Sequence, residues 1–347
     1  MYNELQLIHF KAFRHLDIEL RPLTLLSGLN GVGKSSTLQA LLLLRQSYLG
    51  RDANSESDNH LQLILNGDLI NRGTGRDVFI DRNDYLPSQS ELTILLNHAI
   101  QGQGDWRYEY DSGTADVLTP LPLPSSEANP HIYHTALFGD KQFHYLKAER
   151  IGPRTTMPMS DYMVSQRNQL GAGGEYAPHF LSAWEKKSVH PALHHPSENA
   201  PSLRAQVTAW MGEISPGTQI DLRPHADMDL MNIRYGFAGT PTFRATNVGF
   251  GISYTLPVLI ALLASEPGGL VLLENPEAHL HPRGQSQMGQ LMARAAQAGV
   301  QVILETHSDH IMNGIRVATK TNSFNPMRWP SLLPKSRKRF GCDSRYP

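Results

Sequence analysis

The chain has 347 residues, which is enough for one large domain or two and for a substantial buried core. Its 31 basic and 32 acidic residues give a net charge of −1, which excludes a general attraction to nucleic acid or to anionic membranes. The single cysteine, Cys342, excludes an internal disulfide. No apolar run approaches the roughly 20 residues that span a bilayer, and residues 1–11 lack a signal-segment pattern. We therefore expect a cytoplasmic protein without a membrane partner.

A glycine-rich loop lies between a predicted strand and a predicted helix near the start of the chain. Residues 4–9 and 16–20 alternate as a β-hairpin, and an apolar strand at 23–26 follows. The loop then matches GxxxxGK[ST], in which glycine N–H groups surround phosphates, a lysine adds positive charge and a hydroxyl can ligate Mg²⁺. The alternative is a glycine-rich turn that binds nothing. The predicted nucleotide-binding residues here are Gly28, Asn30, Gly31, Gly33, Lys34, Ser35 and Ser36, with Ser35 also a metal ligand.

The sequence pattern in the middle of the chain indicates strands first and then helices. Strand candidates without intervening helices predict antiparallel pairing; they are residues 61–65, 91–96, 106–110, 132–138 and 142–147. Segments rich in proline and glycine lead into a predicted helical lobe near 176–215. Its loop carries His190, His194 and His195, and the absence of cysteine or carboxylate spacing favours a solvated loop over a metal site.

Strands and helices alternate from residue 253 onward, which predicts a parallel sheet covered on both faces. The predicted elements are a helix at 253–264, a strand at 270–273, a helix at 284–298, a strand at 300–304 and a helix at 308–319. Residues 321–347 lose all periodicity and carry a basic run, which indicates an irregular tail or, alternatively, a nucleic-acid contact. The predicted divisions are 1–155, a helical lobe at 156–245, 246–320 and the tail.

Polar residues follow two of these predicted strands. Glu274 ends the first strand, where a carboxylate beside a phosphate loop holds Mg²⁺, and Glu277 can polarise an attacking water. His307 ends the second strand and can reach a γ-phosphate as a hydrogen-bond donor. The segment of residues 247–253, NVGFGIS, opens a helix with free N–H groups and a hydroxyl, which is typical of an anion site.

Together, these segments resemble the ABC-type ATPase heads, above all the stand-alone group of RecF, SMC, overcoming-lysogenization-defect and Septu phage-defence ATPases. The resemblance lies in FKAFRHLDIELRPLTLLSGLNGVGKSS, LENPEAHLHP and THSDH, and it covers residues 1–50 and 245–316. No long heptad pattern occurs and only 18% of residues are charged, so we expect no SMC-type coiled-coil arms.

The resemblance implies an α/β P-loop NTPase head with a mixed or parallel sheet core, an antiparallel β-subdomain and a helical lobe. It implies ATP and Mg²⁺ as cofactors, with Ser35 and Glu274 serving Mg²⁺ and His307 acting as a switch histidine. Gly249, Gly251 and Ser253 would match the signature element, which contacts the γ-phosphate of the opposite subunit. A homodimer or higher oligomer would then sandwich ATP and gate an effector, such as a nuclease, in phage defence or DNA maintenance, with DNA as a further partner.

The chain departs from such heads in two places. Asn275 stands where they carry the hydrolytic glutamate, and an amide cannot accept the proton of water, so either hydrolysis is slow or Glu277 substitutes. The chain also ends soon after THSDH, and we expect an effector to be supplied in trans or by a further module. The alternatives are an ATP-dependent sensor or scaffold with little hydrolysis and, ranked lower because NVGFGIS replaces LSGGQ, a transporter ATPase subunit. No glutamine loop is recognisable near 62–80.

Overall fold

The computed structural model describes residues 1–51, 61–79, 91–109, 115–124, 128–237 and 239–320. The chain divides into two compact units, and unit 1 ends at Phe138 while unit 2 begins at Gly139. The predicted boundary at residue 155 therefore lies later than the division that the structure shows. The predicted tail, with Cys342 and the basic run, lies outside the described residues.

Unit 1 is built on an antiparallel sheet. Its elements are β1 (Tyr2–Phe10), β2 (Phe13–Glu19), β3 (Leu23–Leu26), α1 (Lys34–Leu49), β4 (Leu63–Ile64), α2 (Gly75–Val78), β5 (Glu91–His98), β6 (Gly102–Glu109) and β7 (Val117–Leu118). The sheet order is β2, β1, β5, β6, and β4 pairs with β7. The predicted hairpin is confirmed, since Leu5 pairs with Ile18 and Leu7 with Leu16.

One predicted strand of unit 1 is wrong. Residues 132–138 do not form a strand, because Pro130–His134 is a 3₁₀ helix. Pro130 occupies its first turn, where a missing N–H costs nothing, and the Asn129 side chain accepts a hydrogen bond from His131 N. The aromatic residues that suggested a strand instead form a cluster, in which Tyr133 lies 5.0 Å from Phe138 between ring centroids.

Helix α1, which follows the glycine-rich loop, is buried on nearly all sides. Its leucines 38 and 41–44 are fully buried, and Arg45 is only 1% exposed. The Arg45 guanidinium donates a hydrogen bond to Leu137 O at 2.5 Å. A helix that is buried on nearly all sides is a core element, so the loop before α1 is anchored to the centre of unit 1.

Unit 2 combines a parallel and an antiparallel sheet. Its elements are β8 (Phe143–Leu146), β9 (Thr156–Pro158), α3 (Ala177–Ala183), α4 (Leu203–Ile214), β10 (Gln219–His225), β11 (Leu230–Gly236), β12 (Phe243–Arg244), α5 (Phe250–Ala264), β13 (Leu270–Glu274), α6 (Pro282–Gln297), β14 (Gln301–Glu305) and α7 (Asp309–Lys320). The predicted alternation from α5 to α7 is confirmed. Strand β13 pairs in parallel with both β14 and β8.

Strand β8 corrects the prediction for residues 142–147. The segment is a strand, but it joins a parallel sheet and not an antiparallel one, since Leu270 aligns with Phe143 and Leu273 with Leu146. All four residues of β8 are buried, which is typical of a strand in a covered parallel sheet. Its pairing partner lies more than 120 residues away, so local sequence gives no indication of it.

The predicted helical lobe at 156–245 is only partly helical. It contains α3 and α4, but also an antiparallel sheet in which β10, β11 and β12 are neighbours and β9 adds to β11. Strand β11 alternates between buried and half-buried residues, and Asp229, with φ 52°, supports the turn before it. Apolar and polar residues alternate within 219–236, a pattern that is typical of strands and that the prediction of a helical lobe overlooked.

The histidine loop is less solvated than predicted. His195 is 8% exposed, its Nε2 lies 3.3 Å from Glu213 Oε1, and its ring packs edge-on against Trp210 at 5.0 Å. Within the described ranges, no group of three or more potential ligands could hold a metal ion. No described helix is long and apolar enough to cross a membrane.

Candidate active site

The predicted phosphate loop of unit 1 joins β3 to α1. Residues 27–31 are exposed, whereas Lys34 is 7% exposed. The backbone has positive φ at Gly28, Gly31 and Gly33, a conformation that other residues rarely adopt. Lys34 Nζ donates hydrogen bonds to Gly28 O at 2.9 Å and to Leu29 O at 2.6 Å. The ammonium group therefore lies inside the curve of the loop, as a phosphate-binding lysine requires.

The β1–β2 hairpin supports this loop from one side. A Cβ atom at Gly33 would lie 2.7 Å from Phe13 Cε1, so the Phe13 ring and the loop backbone are in close contact. Gly33 is also the N-cap of α1, and no side chain caps that helix end in the part of unit 1 that is described. The first N–H groups of α1, including those of Ser35 and Ser36, fit an anion such as a phosphate group.

In unit 2, the carboxyl end of β13 carries Glu274 in a fixed orientation. Its Oε1 accepts a hydrogen bond from Tyr145 OH at 3.0 Å, and its Oε2 accepts one from Ala148 N at 3.1 Å. Strand β8 and the residues after it thus determine where the Glu274 carboxylate points. An oriented carboxylate is a suitable ligand for a Mg²⁺ ion or for the water molecules bound to it.

Asn275 makes the turn that follows. Its φ of 44° places it in the left-handed region, which asparagine tolerates better than most residues. Its N–H donates to Glu305 O at 2.9 Å and so ties the turn to the end of β14. Its side-chain Oδ1 is buried and has no hydrogen-bond partner within the described structure. A buried acceptor of this kind is a place for a donor that comes from outside the chain.

Glu277 connects this turn with the end of β14. Its Oε1 accepts a hydrogen bond from His307 N at 2.9 Å, and its Oε2 is buried without a partner among the described residues. The His307 side chain is exposed. Ser308 then caps α7, since its Oγ accepts from His310 N and Ile311 N, both at 3.1 Å. The structure thus brings Glu274, Asn275, Glu277 and His307 together. Because the sequence analysis predicts catalytic roles for residues 274–277, we name them the catalytic turn.

The predicted signature-like segment, residues 247–253, leads into α5. Gly249 is exposed at the N-cap, and no side chain caps the helix there in the described region. Gly251 lies against the backbone, since a Cβ there would be 2.7 Å from His279 O. The Ser253 Oγ is buried beside Tyr235, whose pKa is raised by burial and held down in part by the Ser253 hydroxyl. The exposed groups of the segment are therefore the glycine backbone at 249 and its neighbours, and not the Ser253 hydroxyl.

Two family models match this chain, both described as AAA domains. One covers residues 4–85, and the other, described as "AAA domain, putative AbiEii toxin, Type IV TA system", covers residues 193–313. An SMC head bound to the C-winged helix domain of ScpA is similar in structure, with a TM-score of 0.53, 16% identity and coverage of 90% of this chain and 92% of that one. The chain therefore has the fold of these SMC heads, and AAA-domain models match two separate parts of it.

A second solved SMC head supports the same fold. It comes from Pyrococcus furiosus, has an extended coiled coil and is bound to the C-terminal domain of ScpA; the TM-score is 0.54 at 15% identity, with 90% of this chain and 91% of that one covered. No curated protein matches the chain in sequence. The described helices of this SMC-like head have at most 16 residues, so the described structure contains no coiled-coil arm.

The sequence analysis did not identify all residues that shape the catalytic turn of this SMC-like head. Tyr145 and Arg150 were not assigned to it, and both contact it. Arg150 lies in the turn after β8, and its burial, which for a charged residue implies a specific partner, is visible only in the structure. The roles of the predicted ligand-binding residues remain predictions.

Proposed function

We propose that this protein binds Mg-ATP and hydrolyses it slowly, with Glu277 as the general base and Asn275 as the residue that orients water. The observation that carries the proposal is the pair of buried acceptor atoms, Asn275 Oδ1 and Glu277 Oε2, that lack partners in the described structure. Both belong to the catalytic turn. A water molecule has two O–H groups, so it can satisfy acceptors that the protein leaves unpaired.

The carboxylates of Glu274 and Glu277 have different roles in this proposal. Glu274 is oriented by Tyr145 and Ala148 and would serve the metal together with Ser35 of the phosphate loop. Glu277 uses one oxygen to hold His307 N and keeps the other for proton transfer. Mg²⁺, when bound, would neutralise phosphate charge as negative charge shifts to the leaving group. A general base in a suitable position contributes about 10²–10⁴-fold to the rate.

ATP would also join two copies of the chain. Exposed backbone at Gly249 and the uncapped start of α5 fit a phosphate group of the opposite copy's nucleotide. Nucleotide that binds the closed pair better than separate copies shifts the equilibrium toward the pair. This ATP-dependent closure would gate a partner effector, for which a nuclease is the candidate, and DNA would be a further partner. The family model that matches residues 193–313 describes a putative toxin of a type IV TA system, which supports a role in defence.

Single-turnover ATP cleavage tests the chemical part of the proposal. Glu277→Gln keeps an oxygen that can accept from His307 N but removes the base, so we expect ATP to bind with unchanged affinity and cleavage to fall by about 10²-fold or more. Glu274→Gln should abolish cleavage and weaken the Mg²⁺ dependence of binding. If Glu277→Gln cleaves ATP as fast as the wild type, Glu277 is not the base.

The same experiment addresses a second candidate function, an ATP-dependent sensor that scarcely hydrolyses ATP. The observation that favours it is the Asn275 amide in the place of a carboxylate. In that case the wild type binds ATP, forms ATP-dependent dimers in sedimentation experiments and cleaves almost none, while Asn275→Glu gains cleavage. A wild type that turns over and loses this activity in Glu277→Gln excludes the sensor.

A further inference from the structure

Arg150 is a buried cation whose side-chain hydrogen bonds to the described residues all go to backbone carbonyl groups. The residue is 2% exposed and lies four residues after β8. Its Nη1 donates to Lys147 O at 3.1 Å and to Glu274 O at 2.8 Å, and its Nη2 donates to Asn275 O at 2.8 Å. Two terminal nitrogens of one guanidinium thus hold two consecutive carbonyls of the catalytic turn.

These contacts occur on the side of β13 that faces β8, just beyond the last pair of that ladder, Leu273 and Leu146. Glu274 ends β13, and the left-handed conformation of Asn275 turns the chain away from the strand direction. Carbonyl groups at such a strand end need other donors if they are buried. The planar fork of arginine reaches both at once, which a lysine ammonium, a single point charge, does not.

Burial of the Arg150 guanidinium costs solvation free energy, and nearby side chains offset part of that cost. Burial lowers the pKa of Arg150 to about 10, while Tyr254, Glu277 and Glu274 act in the opposite direction. Glutamine could also donate hydrogen bonds to carbonyls, but it would not balance the two carboxylates. The positive charge therefore matches the negative charge of the catalytic turn itself.

Arg150 also contacts the start of α5. Its guanidinium carbon lies 5.3 Å from the centroid of the Tyr254 ring. That ring packs edge-on against His279 at 4.7 Å, and Phe250 lies 5.5 Å from the same histidine. The first turn of α5 and the residues just after the catalytic turn thus share one aromatic cluster, with Arg150 on its side.

We propose that Arg150 is a positioning residue of the ATPase: it fixes the backbone of the catalytic turn and, through Tyr254, holds the start of α5 against that turn. The inference rests on the proposed function and adds to it a residue that touches neither nucleotide nor metal. Its consequence is that Arg150 affects cleavage of bound ATP and not ATP binding, because the phosphate loop belongs to unit 1.

The test measures kcat, KM and the number of ATP molecules bound per chain for Arg150→Met, Arg150→Lys and a matched control. Arg223→Met is the control, since Arg223 is an exposed arginine of the same unit that pairs only with Asp221 among the described residues. We expect Arg150→Met to bind ATP with full stoichiometry and affinity within threefold, and to lose at least 30-fold in kcat. Arg150→Lys should recover part of that loss, and Arg223→Met should equal the wild type.

Several results would overturn the inference. One is a kcat for Arg150→Met within threefold of the wild type; another is a parallel loss of kcat and binding stoichiometry, which indicates unfolding. Full activity of Arg150→Lys would show that the two-carbonyl fork is unnecessary. A wild type that neither binds nor cleaves ATP would reject the proposed function and this inference together, whereas an active wild type with an equally active Arg150→Met rejects only the inference.

Discussion

The phosphate loop and the catalytic turn achieve unusual backbone conformations in different ways. The phosphate loop uses glycine at each position with positive φ, and its first half is exposed. The catalytic turn uses Asn275, and His279 just after it also has positive φ. Side chains from distant parts of unit 2 hold that turn, namely Tyr145 and Arg150. The loop is thus specified locally, and the turn is specified by tertiary contacts.

This difference predicts separate consequences for binding and for chemistry. Changes in the loop should affect whether ATP binds, because its backbone N–H groups and Lys34 would contact the phosphates. Changes around the turn should leave binding intact and alter cleavage. The proposals on Glu277 and Arg150 address the turn, and the following predictions address the loop, the α5 contact and a region outside both.

The largest effect is expected for Lys34→Ala. Lys34 places a buried ammonium inside the phosphate loop, so its loss removes the one side-chain charge that the loop offers to phosphate. We expect ATP affinity to fall by roughly 100-fold and cleavage to fall with it. Equilibrium binding of a fluorescent ATP analogue measures this. Lys186→Ala, which removes an exposed lysine, is the control, and an unchanged affinity in Lys34→Ala would break the distinction between loop and turn.

A somewhat smaller effect is expected for Gly33→Ala. The new Cβ would require positive φ in a non-glycine residue, at about 1–2 kcal/mol, and would press on the Phe13 ring. We expect the free energy of unfolding to drop by about 2–4 kcal/mol, measured by urea denaturation. Gly31→Ala has the same strain but open space around it, so it should cost less. In the double variant Gly33→Ala, Phe13→Leu, the close contact with the ring is relieved but the strain of the positive φ remains, so only part of the lost stability should return. Recovery of all the lost stability would show that the backbone strain is absent.

The contrast between the locally specified loop and the turn held by tertiary contacts also explains which features could be predicted from the sequence. The strand, loop and helix around Lys34 are contiguous, so their pattern was sufficient for the prediction, and the alternation from α5 to α7 was equally readable. Strand β8 was predicted as a strand, but its parallel partner β13 lies too far along the chain to infer. The roles of Tyr145 and Arg150 at the turn depend on that pairing, so local patterns could not reveal them.

Gly251→Ala tests the contact between α5 and the residues after the catalytic turn. The added Cβ would meet a backbone atom, His279 O, which cannot move as a flexible side chain can. We expect a loss of about 1–3 kcal/mol in unfolding free energy and a lower kcat, since the start of α5 must shift. Gly249→Ala, where a Cβ meets open space, should leave stability unchanged. Equal stability of Gly251→Ala and Gly249→Ala would show that the close approach is not maintained in solution.

The smallest effect is expected at His179, outside both regions, and it separates the pH dependence of stability from that of cleavage. Burial lowers the pKa of His179, and Asp161, 3.5 Å away, only partly opposes this; its Nδ1 accepts a hydrogen bond from Ser160 N at 3.1 Å. The unfolded chain therefore binds a proton at His179 more readily than the folded chain does. Stability should decline as pH falls below about 6.5, the ordinary value for histidine, and level off below the lowered pKa.

His179→Gln keeps an acceptor for Ser160 N but cannot be protonated, so it should lose this part of the pH dependence. We expect the Tm difference between pH 7 and pH 5 to shrink by no more than about 2 °C relative to the wild type. His225→Gln, at an exposed histidine, is the control. If the pH profile of kcat is the same in His179→Gln and in the wild type, the acid sensitivity of cleavage does not arise from the protonation of His179. If the pH profile of kcat instead differs between His179→Gln and the wild type, cleavage falls in acid because unit 2 becomes less stable.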